Sequence, residues 1–88
     1  MSYKIKTSKS FEKDLKVYLH QPTIMGMVQD TIENLKTGQR MSKEHPLKGR
    51  WKGFRECHLP FGKLLVWAVK GSVVTLERFG THHQIFCL

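Results

Sequence analysis

The chain has 88 residues, which suits one domain with a single modest core and excludes two independent cores. No apolar run approaches the roughly 20 residues of a membrane-spanning helix. The formal net charge is +8, and residues 40–88 carry nine Lys or Arg against three Glu, a net of +6. We therefore expect a polyanionic partner, either nucleic acid, an acidic protein or an anionic membrane, that contacts mainly the second half.

Side-chain periodicity predicts a first strand and a first helix. Tyr3–Thr7 alternates between apolar and charged residues, as in a strand with one wet face. Ser8 and Ser10 both offer hydroxyls that cap the start of a helix. An apolar stripe that includes Leu19 follows at helical spacing. We expect this helix to end near His20, because a proline two positions later disfavours helix in the residue before it.

A second apolar stripe predicts a second helix. Thr23 is the expected cap, and Gly38 stands where a left-handed residue commonly ends a helix. The polar and basic segment Gln39–Gly53 then predicts a long surface connection, and loops of this length are often functional. The stripe consists of Ile24, Met27, Val28, Ile32 and Leu35.

The remaining sequence predicts three strands. Phe54–Leu59 and Val73–Phe79 flank Lys63–Lys70, whose apolar residues on both faces are typical of a central strand. Gly80 is expected to end the last strand, and Thr81–Leu88 forms either a strand or a helical turn. The order β-α-α-β-β-β predicts a single α+β domain over residues 1–88. Its two N-terminal helices pack on one face of a small, mostly antiparallel sheet.

Three histidines stand beside structural breaks in the basic half: His45, His58 and His82. Histidine takes or gives a proton near neutral pH. RNA cleavage needs a base that removes the ribose 2′-OH proton and an acid that protonates the departing 5′ oxygen. No metal is required, because RNA carries its own nucleophile. Each histidine taken alone also fits an ordinary surface residue.

The segment around His45 is rich in groups that bind phosphate. It holds six cations in sixteen residues, and Trp51 and Phe54 stand among them, where they can stack on unpaired bases. A solvated basic loop whose two aromatic residues fill the core explains the same composition. The six cations are Arg40, Lys43, Lys48, Arg50, Lys52 and Arg55.

Other donor residues predict weaker sites. Cys57 and Cys87 lack CxxC spacing and no secretory signal is evident, so we expect reduced thiols in a cytoplasmic protein, with a disulfide as the less favoured alternative. No His or Cys pair has the usual zinc-site spacing. Cys57 is poorly placed to react with His58, since neighbouring strand residues point to opposite faces. His20 and His83 are expected to be exposed and without a catalytic role.

Two segments resemble a known toxin family. His45–His58 reads HPLKGRWKGFRECH and is similar to the HPLxGxWxGxRxxH signature of the YafQ branch of RelE-like toxins. Arg78–Phe86 resembles the R-x-G-T-H-x-x-L-F close of that branch, and Ser10–Lys16 resembles its first helix. The likeness extends over nearly the whole chain, and the two motifs together are specific.

This resemblance implies the toxin of a type II toxin–antitoxin pair in the RelE/ParE superfamily. Such a toxin enters the ribosomal A site and cleaves mRNA there. An antitoxin wraps and blocks the toxin, and an acidic one complements the charge of +8. The toxin contacts operator DNA only through its complex with the antitoxin. The resemblance implies neither a cofactor nor a membrane partner.

The resemblance also implies roles for individual residues. His82 is the proton-transfer residue closest to the scissile phosphate, while His58 and His45 share the partner role and the phosphate contact. The aromatic ring of Phe86 helps to hold the mRNA. The full set of expected RNA and phosphate contacts is Arg55, Arg78, Lys48, Arg50, Lys52, Phe86 and Trp51, of which the first two are candidates to offset the phosphorane charge.

One feature departs from the branch, which often has an acidic residue in the turn after the second histidine. Here that turn is Leu59–Gly62 and holds no acid. Glu56 is a possible substitute, because a regular strand places it on the same face as His58. We therefore expect the departure to affect the catalytic rate rather than the type of reaction.

Two other functions fit the same residues. One is a non-enzymatic inhibitor of DNA gyrase, because the RelE-like fold also carries such toxins. The other is a plain RNA-binding module, which would bind with a steep salt dependence and leave RNA intact. The three histidines favour cleavage, since gyrase-directed relatives do not need them.

Overall fold

A computed structural model describes residues 2–39, 41 and 43–87. The strand order in the single sheet is β1-β5-β4-β3-β2, with β1 parallel to β5 and the other pairs antiparallel. The elements are β1 Lys4–Thr7, α1 Lys9–Lys16, α2 Pro22–Lys36, β2 His45–Pro46, β3 Arg55–Leu59, β4 Lys63–Lys70, β5 Val73–Thr81 and α3 His82–Phe86.

The predicted α+β class is confirmed, with two N-terminal helices and a mostly antiparallel sheet. The predicted order β-α-α-β-β-β lacks the two-residue strand β2 and two 3₁₀ turns, Gly49–Trp51 and Pro60–Gly62. These segments are too short to show a periodicity of their own. Of the two alternatives for Thr81–Leu88, strand or helical turn, the structure has a helical turn, the five-residue helix α3.

Helix α1 begins where a serine caps it and ends earlier than predicted. Ser8 is the cap, since its Oγ accepts a hydrogen bond of 3.0 Å from the backbone N–H of Phe11. The helix ends at Lys16 and not near His20. The following residues bond to carbonyls only three positions back, for example Leu19 N to Lys16 O. This tighter turn directs Leu19 outward, and its side chain is 55% exposed, contrary to the predicted stripe.

Helix α2 starts one residue before the predicted cap. Gln21 precedes the helix without a side-chain cap, and Pro22 occupies the first helical position, where its fixed φ and missing N–H fit best. The predicted cap at Thr23 is therefore wrong. Gly38 follows the helix with φ of +79°, as predicted. The buried positions of this helix are Ile24, Val28, Thr31 and Leu35.

The sheet carries a core on each face because successive residues of the central strand β4 point in opposite directions. Leu65 and Trp67 pack with the helices in the larger core. Leu64 and Val66 pack with Ile85 of α3 in a smaller core on the other face. The double-sided apolar pattern of β4 is therefore explained. Around the smaller core lie the partly buried Leu47, Trp51, Phe54 and Phe86.

Strand β5 continues two residues beyond its predicted end. Gly80 pairs with Leu64, and Thr81 pairs with Lys63. The expectation that Gly80 breaks the strand is wrong, because its φ of +149° keeps the backbone in register with β4. Helix α3 then begins immediately at His82. Leu88, the last residue of the predicted tail, lies outside the described residues.

Candidate active site

The predicted connection Gln39–Gly53 contains the strand that builds one wall of the site. His45 and Pro46 form β2 and pair antiparallel with β3, so that His45 stands opposite Glu56. Beyond the pair, Leu47 N donates a 2.9 Å hydrogen bond to Phe54 O, which extends the hairpin. The hairpin thus fixes His45 against β3. Arg40, one of the six predicted cations, lies outside the described residues.

Two histidines and one carboxylate meet on the face of β3 that lies opposite the two long helices. Nε2 of His45 lies 2.8 Å from Oε2 of Glu56, and Nε2 of His58 lies 4.0 Å from the same oxygen. The ring centres of His45 and His58 are 5.9 Å apart. Because the strand is regular, Glu56 and His58 lie on the same face. This is the arrangement that Glu56 needs in order to replace the acidic residue that the toxin branch often has in the turn after the second histidine.

Glu56 is itself buried, with 5% of its surface exposed. Its Oε1 is enclosed and has no hydrogen-bond partner among the described residues. A buried carboxylate that is only partly paired is costly. The side chain that offsets this cost is His45, with His58 second, so both histidines face the buried carboxylate.

Helix α3 forms the opposite wall of the site. His82 and Phe86 are one helical turn apart, and their ring centres are separated by 5.0 Å. Phe86 in turn packs edge-on against Trp51 at 5.6 Å, and Trp51 packs against Phe54 at 5.3 Å. Trp51 is therefore both a partner of the smaller core and a surface of the site.

An open groove of about 590 Å³ runs between the two walls. It brings His45 and Glu56 together with His82, which the chain order separates widely. His58 borders the carboxylate but does not line this groove; it lines a neighbouring one beside Lys43. The residues that line the main groove are His45, Leu47, Lys48, Arg50, Trp51, Glu56, His82 and Phe86.

The predicted cations divide into three groups: those in the groove, one exposed outside it, and two held in ion pairs. Lys48 and Arg50 line the groove, whereas Lys52 is exposed and does not. Nε of Arg55 lies 2.6 Å from Oε2 of Glu44. Nε of Arg78 lies 2.6 Å from Oδ2 of Asp14. This hydrogen bond raises the pKa of the Arg78 guanidinium. The structure thus holds both arginines in ion pairs outside the groove lining.

The cysteines have no part in the site. Both thiols are free, so the less favoured disulfide is not formed. Cys57 is fully buried on the helix side of the sheet, and this burial, followed by the charge of Glu44, raises its pKa to about 12. The prediction that Cys57 and His58 point to opposite faces is confirmed.

The remaining histidines lie apart from the groove. His20 and His83 are exposed, and neither lines the groove. None of the described helices has the length and apolar character needed to cross a membrane.

Sequence reasoning missed one set of donors. The nearest ligand atoms of His45, Glu56 and His58 all lie within 4.8 Å of one another. Imidazole nitrogens and a carboxylate oxygen suit a transition-metal ion such as copper or zinc. The spacing rules could not find this set because the pairing of β2 with β3 brings its members together.

Comparison with known proteins identifies the family. The profile of YafQ, a bacterial toxin of type II toxin–antitoxin systems, matches residues 3–87. The chain is 29% identical to the mRNA interferase toxin YafQ of Escherichia coli strain B / BL21-DE3, over 93% of this chain and 94% of that protein. The K12 protein of the same name is 39% identical over 44 residues, 50% of this chain and 48% of that protein.

Solved structures share the whole fold. YafQ in the E. coli DinJ–YafQ toxin–antitoxin complex superposes with a TM-score of 0.82 at 27% identity, covering 98% of this chain and 99% of that chain. A metal-bound toxin from Helicobacter pylori superposes with a TM-score of 0.83 at 40% identity, covering 98% and 100%. The chain therefore belongs to the YafQ family of toxins of type II toxin–antitoxin systems.

Proposed function

We propose that this YafQ-family toxin is an endoribonuclease that cleaves mRNA in the ribosomal A site and so stops translation. The observation that carries the proposal is the groove, with the His45–Glu56 pair on one wall and His82 on the other. The name of the E. coli relatives, mRNA interferase toxin, supports it.

The hydrogen bonding of His45 favours the role of general acid. Its Nε2 faces Oε2 of Glu56 at 2.8 Å, and its Nδ1 faces the carbonyl oxygen of Pro46 at 3.2 Å. Both ring nitrogens thus face acceptors, an arrangement that the doubly protonated ring satisfies. The carboxylate holds the imidazolium in place, as an acid does in a catalytic triad. We assign the proton transfer to Nδ1, which exchanges its 3.2 Å contact with Pro46 O for the leaving oxygen when substrate is bound.

His82 is then the base. It takes the 2′-OH proton, the 2′ oxygen attacks the adjacent phosphorus, and the bond from phosphorus to the 5′ oxygen breaks as His45 protonates that oxygen. The products are a 2′,3′-cyclic phosphate and a 5′-OH. His58 is the second partner of His82 in this scheme. Its Nε2 lies 4.0 Å from Oε2 of Glu56, so it can bind the same carboxylate that holds His45.

Binding of RNA falls to the cations and aromatic rings along the groove. Lys48 and Arg50 offset phosphate charge there, because the two arginines expected in that role are engaged in ion pairs. Lys52 adds long-range attraction, while Trp51 and Phe86 offer ring faces to unstacked bases. The ribosome supplies the in-line geometry, so that cleavage of free RNA is slow.

The test is cleavage of a translated message by matched histidine variants. His82→Ala and His45→Ala are compared with His20→Ala, which removes an exposed imidazole away from the groove. We expect the cleavage rate of each groove variant to fall about 100-fold or more. The control and the native chain should both produce new 5′-OH ends within the reading frame. Cleavage by His82→Ala equal to that of the control would overturn the assignment. DNA damage with intact mRNA would indicate a gyrase inhibitor, and salt-sensitive binding without cut ends would indicate a plain RNA-binding module.

A cognate antitoxin follows from the same family. The E. coli relative is solved as a DinJ–YafQ toxin–antitoxin complex. We propose that an acidic antitoxin neutralises this chain in the cytoplasm and that the chain reaches operator DNA only through that complex. Operator binding by the pair, and none by the toxin alone in a mobility-shift assay, is the expected result. Binding of the operator by free toxin with the same sequence preference would contradict it.

The cluster of His45, Glu56 and His58 favours a second, inhibitory function as a metal site. The H. pylori relative is solved as a metal-bound toxin. A Cu²⁺ ion held there would withdraw His45 from catalysis, and we propose that the reaction itself needs no metal in this site. We expect cleavage on ribosomes in Mg²⁺ buffer to be unchanged when the toxin is first treated with EDTA and freed of it by gel filtration, and to fall when Cu²⁺ is added. Titration calorimetry with CuCl₂ should give weaker binding for His58→Ala than for His20→Ala, whereas loss of cleavage by the EDTA-treated toxin would refute metal independence.

A further inference from the structure

We propose that Asp14, acting through Arg78, and Gln84, acting through Tyr18, are positioning residues that tie the catalytic helix α3 to helix α1 and to the turn that follows α1, and so set the position of His82. This inference rests on the function proposed above. It also assigns Arg78 to the support of the site rather than to the phosphate.

The first part of the tie closes an open sheet edge. The pairing of β1 with β5 ends at Thr7 and Leu76, and beyond that point no strand within residues 2–39, 41 and 43–87 pairs with β5 on this side. The carboxylate of Asp14 takes the place of a strand there, since its Oδ2 accepts a 3.0 Å hydrogen bond from the backbone N–H of Phe79. Helix α1 thereby holds β5 just before the turn into α3.

The same carboxylate binds the guanidinium of Arg78 at two points. Nε donates to Oδ2 at 2.6 Å and Nη2 donates to Oδ1 at 3.1 Å. The two side chains are 24% and 16% exposed, so the pair is largely sheltered from water. Nη2 also lies 3.4 Å from the backbone oxygen of Gln84 in α3. Arg78 therefore links α1 to α3 with atoms that a phosphate would otherwise use.

The second part of the tie is the side chain of Gln84. Its Oε1 accepts hydrogen bonds from the hydroxyl of Tyr18 at 3.1 Å and from the backbone N–H of Thr81 at 2.8 Å. Tyr18 follows α1 and packs edge-on against Phe79 with ring centres 5.4 Å apart. Gln84 is thus joined both to the end of β5 and to the turn that follows α1.

Helix α3 needs this support because it has only five residues. A helix of that length is not stable by itself. It carries His82 at its first position and Phe86 at its last, and both line the groove. A displacement of about 1 Å at a reacting group can cost about 100-fold in rate. Loss of these contacts should therefore lower the rate of cleavage even when no residue that lines the groove is changed.

The test compares Asp14→Asn, Arg78→Ala, their double variant and Gln84→Ala with the matched control Asp30→Asn. Asp30 is exposed on α2, and the control makes the same chemical change. Single-turnover cleavage on programmed ribosomes is measured well below each melting temperature. We expect each single variant of the tie to lose about 10- to 100-fold in rate at unchanged ribosome affinity. The double variant should lose no more than the larger single loss.

A second readout does not depend on cleavage. With 5-fluorotryptophan the chain gives two ¹⁹F signals, from Trp51, which contacts Phe86 at 5.6 Å, and from Trp67 in the larger core. The tie variants should shift or broaden the Trp51 signal and leave that of Trp67 in place. If the native chain does not cleave mRNA, the proposed function fails while this readout still tests the tie.

Two results would overturn the inference. One is Asp14→Asn retaining cleavage within about twofold while Arg78→Ala loses 100-fold or more, since a phosphate-binding arginine is freed by the first change and removed by the second. The other is an unmoved Trp51 signal in Gln84→Ala. If Asp14→Asn does not fold, Gln84→Ala decides alone, because its side chain is exposed and outside both cores.

Discussion

His45 and Glu56 form the closest contact in the groove, 2.8 Å between Nε2 and Oε2, because the register of β2 on β3 sets them opposite each other. The histidine side chain is 47% exposed and the carboxylate 6% exposed. The pair thus joins a buried carboxylate to a solvent-accessible imidazole, so that one edge of the histidine ring is held in place while the ring remains open to solvent.

Glu56→Gln should separate stability from activity. The change removes a buried charge of which one oxygen is unpaired, while His45 stays solvated. We expect the free energy of unfolding in urea to rise by about 1 kcal/mol and cleavage to fall by about 10- to 100-fold. Glu33→Gln, on the exposed face of α2, should change neither quantity. A loss of stability above about 1 kcal/mol would show that Glu56 mainly supports the fold.

The buried thiol of Cys57 should make the fold sensitive to alkali. Its pKa is about 12 in the folded chain against an ordinary 9.0, so the folded chain keeps a proton that the unfolded chain releases. This stabilising contribution is complete below about pH 9 and is lost as pH rises toward 12, at about 1.4 kcal/mol per pH unit.

Urea unfolding of the native chain and of Cys57→Ala, at several pH values above 8, measures this dependence. The difference in unfolding free energy between the two should narrow as the pH rises, whereas Cys87→Ala, at an exposed thiol, should follow the native curve. Iodoacetamide near neutral pH should label Cys87 alone. Equal labelling of both thiols in the folded chain would contradict the burial of Cys57.

Two glycine-to-alanine changes should have opposite signs. A Cβ at Gly80, where φ is +149°, would lie 2.6 Å from Oε1 of Gln84. We expect Gly80→Ala to cost about 1–3 kcal/mol of unfolding free energy. Gly26→Ala places a Cβ in open space within α2 and should add about 1 kcal/mol. Thermal melts of the two variants compare them directly, and stabilisation by both would mean that Gly80 adapts without strain.

Two serine-to-alanine changes at the start of α1 should differ in size. Ser8 Oγ accepts from Phe11 N and donates at 2.9 Å to the carbonyl oxygen of Glu77 on β5. Its removal should cost about 1–2 kcal/mol. Ser10→Ala changes an exposed helix residue and should stay within about 0.5 kcal/mol of the native chain. Equal losses in denaturant titrations would rule out Ser8 as the cap.

The elements that have local signals could be predicted from the amino-acid sequence alone. Alternation, helical stripes and the glycine after α2 predicted the helices and the long strands, since these patterns depend only on neighbouring residues. The three histidines and the groove aromatics also followed from the sequence, largely because two motifs resemble a family. The tight hairpin between β4 and β5 has the Gly71 that such a turn needs.

Tertiary structure decided which of these residues meet. The pairing of the two-residue strand β2 with β3 placed His45 against Glu56. A strand of two residues is too short to be predicted from side-chain periodicity. Arg78 pairs with Asp14, which lies 64 positions away in the sequence. From the motif alone, Arg78 was expected to contact phosphate, but the ion pair occupies its guanidinium. These contacts arise from sheet register and helix packing, which depend on the whole chain. The groove is therefore a product of the fold, although most of the residues that line it were singled out from the sequence.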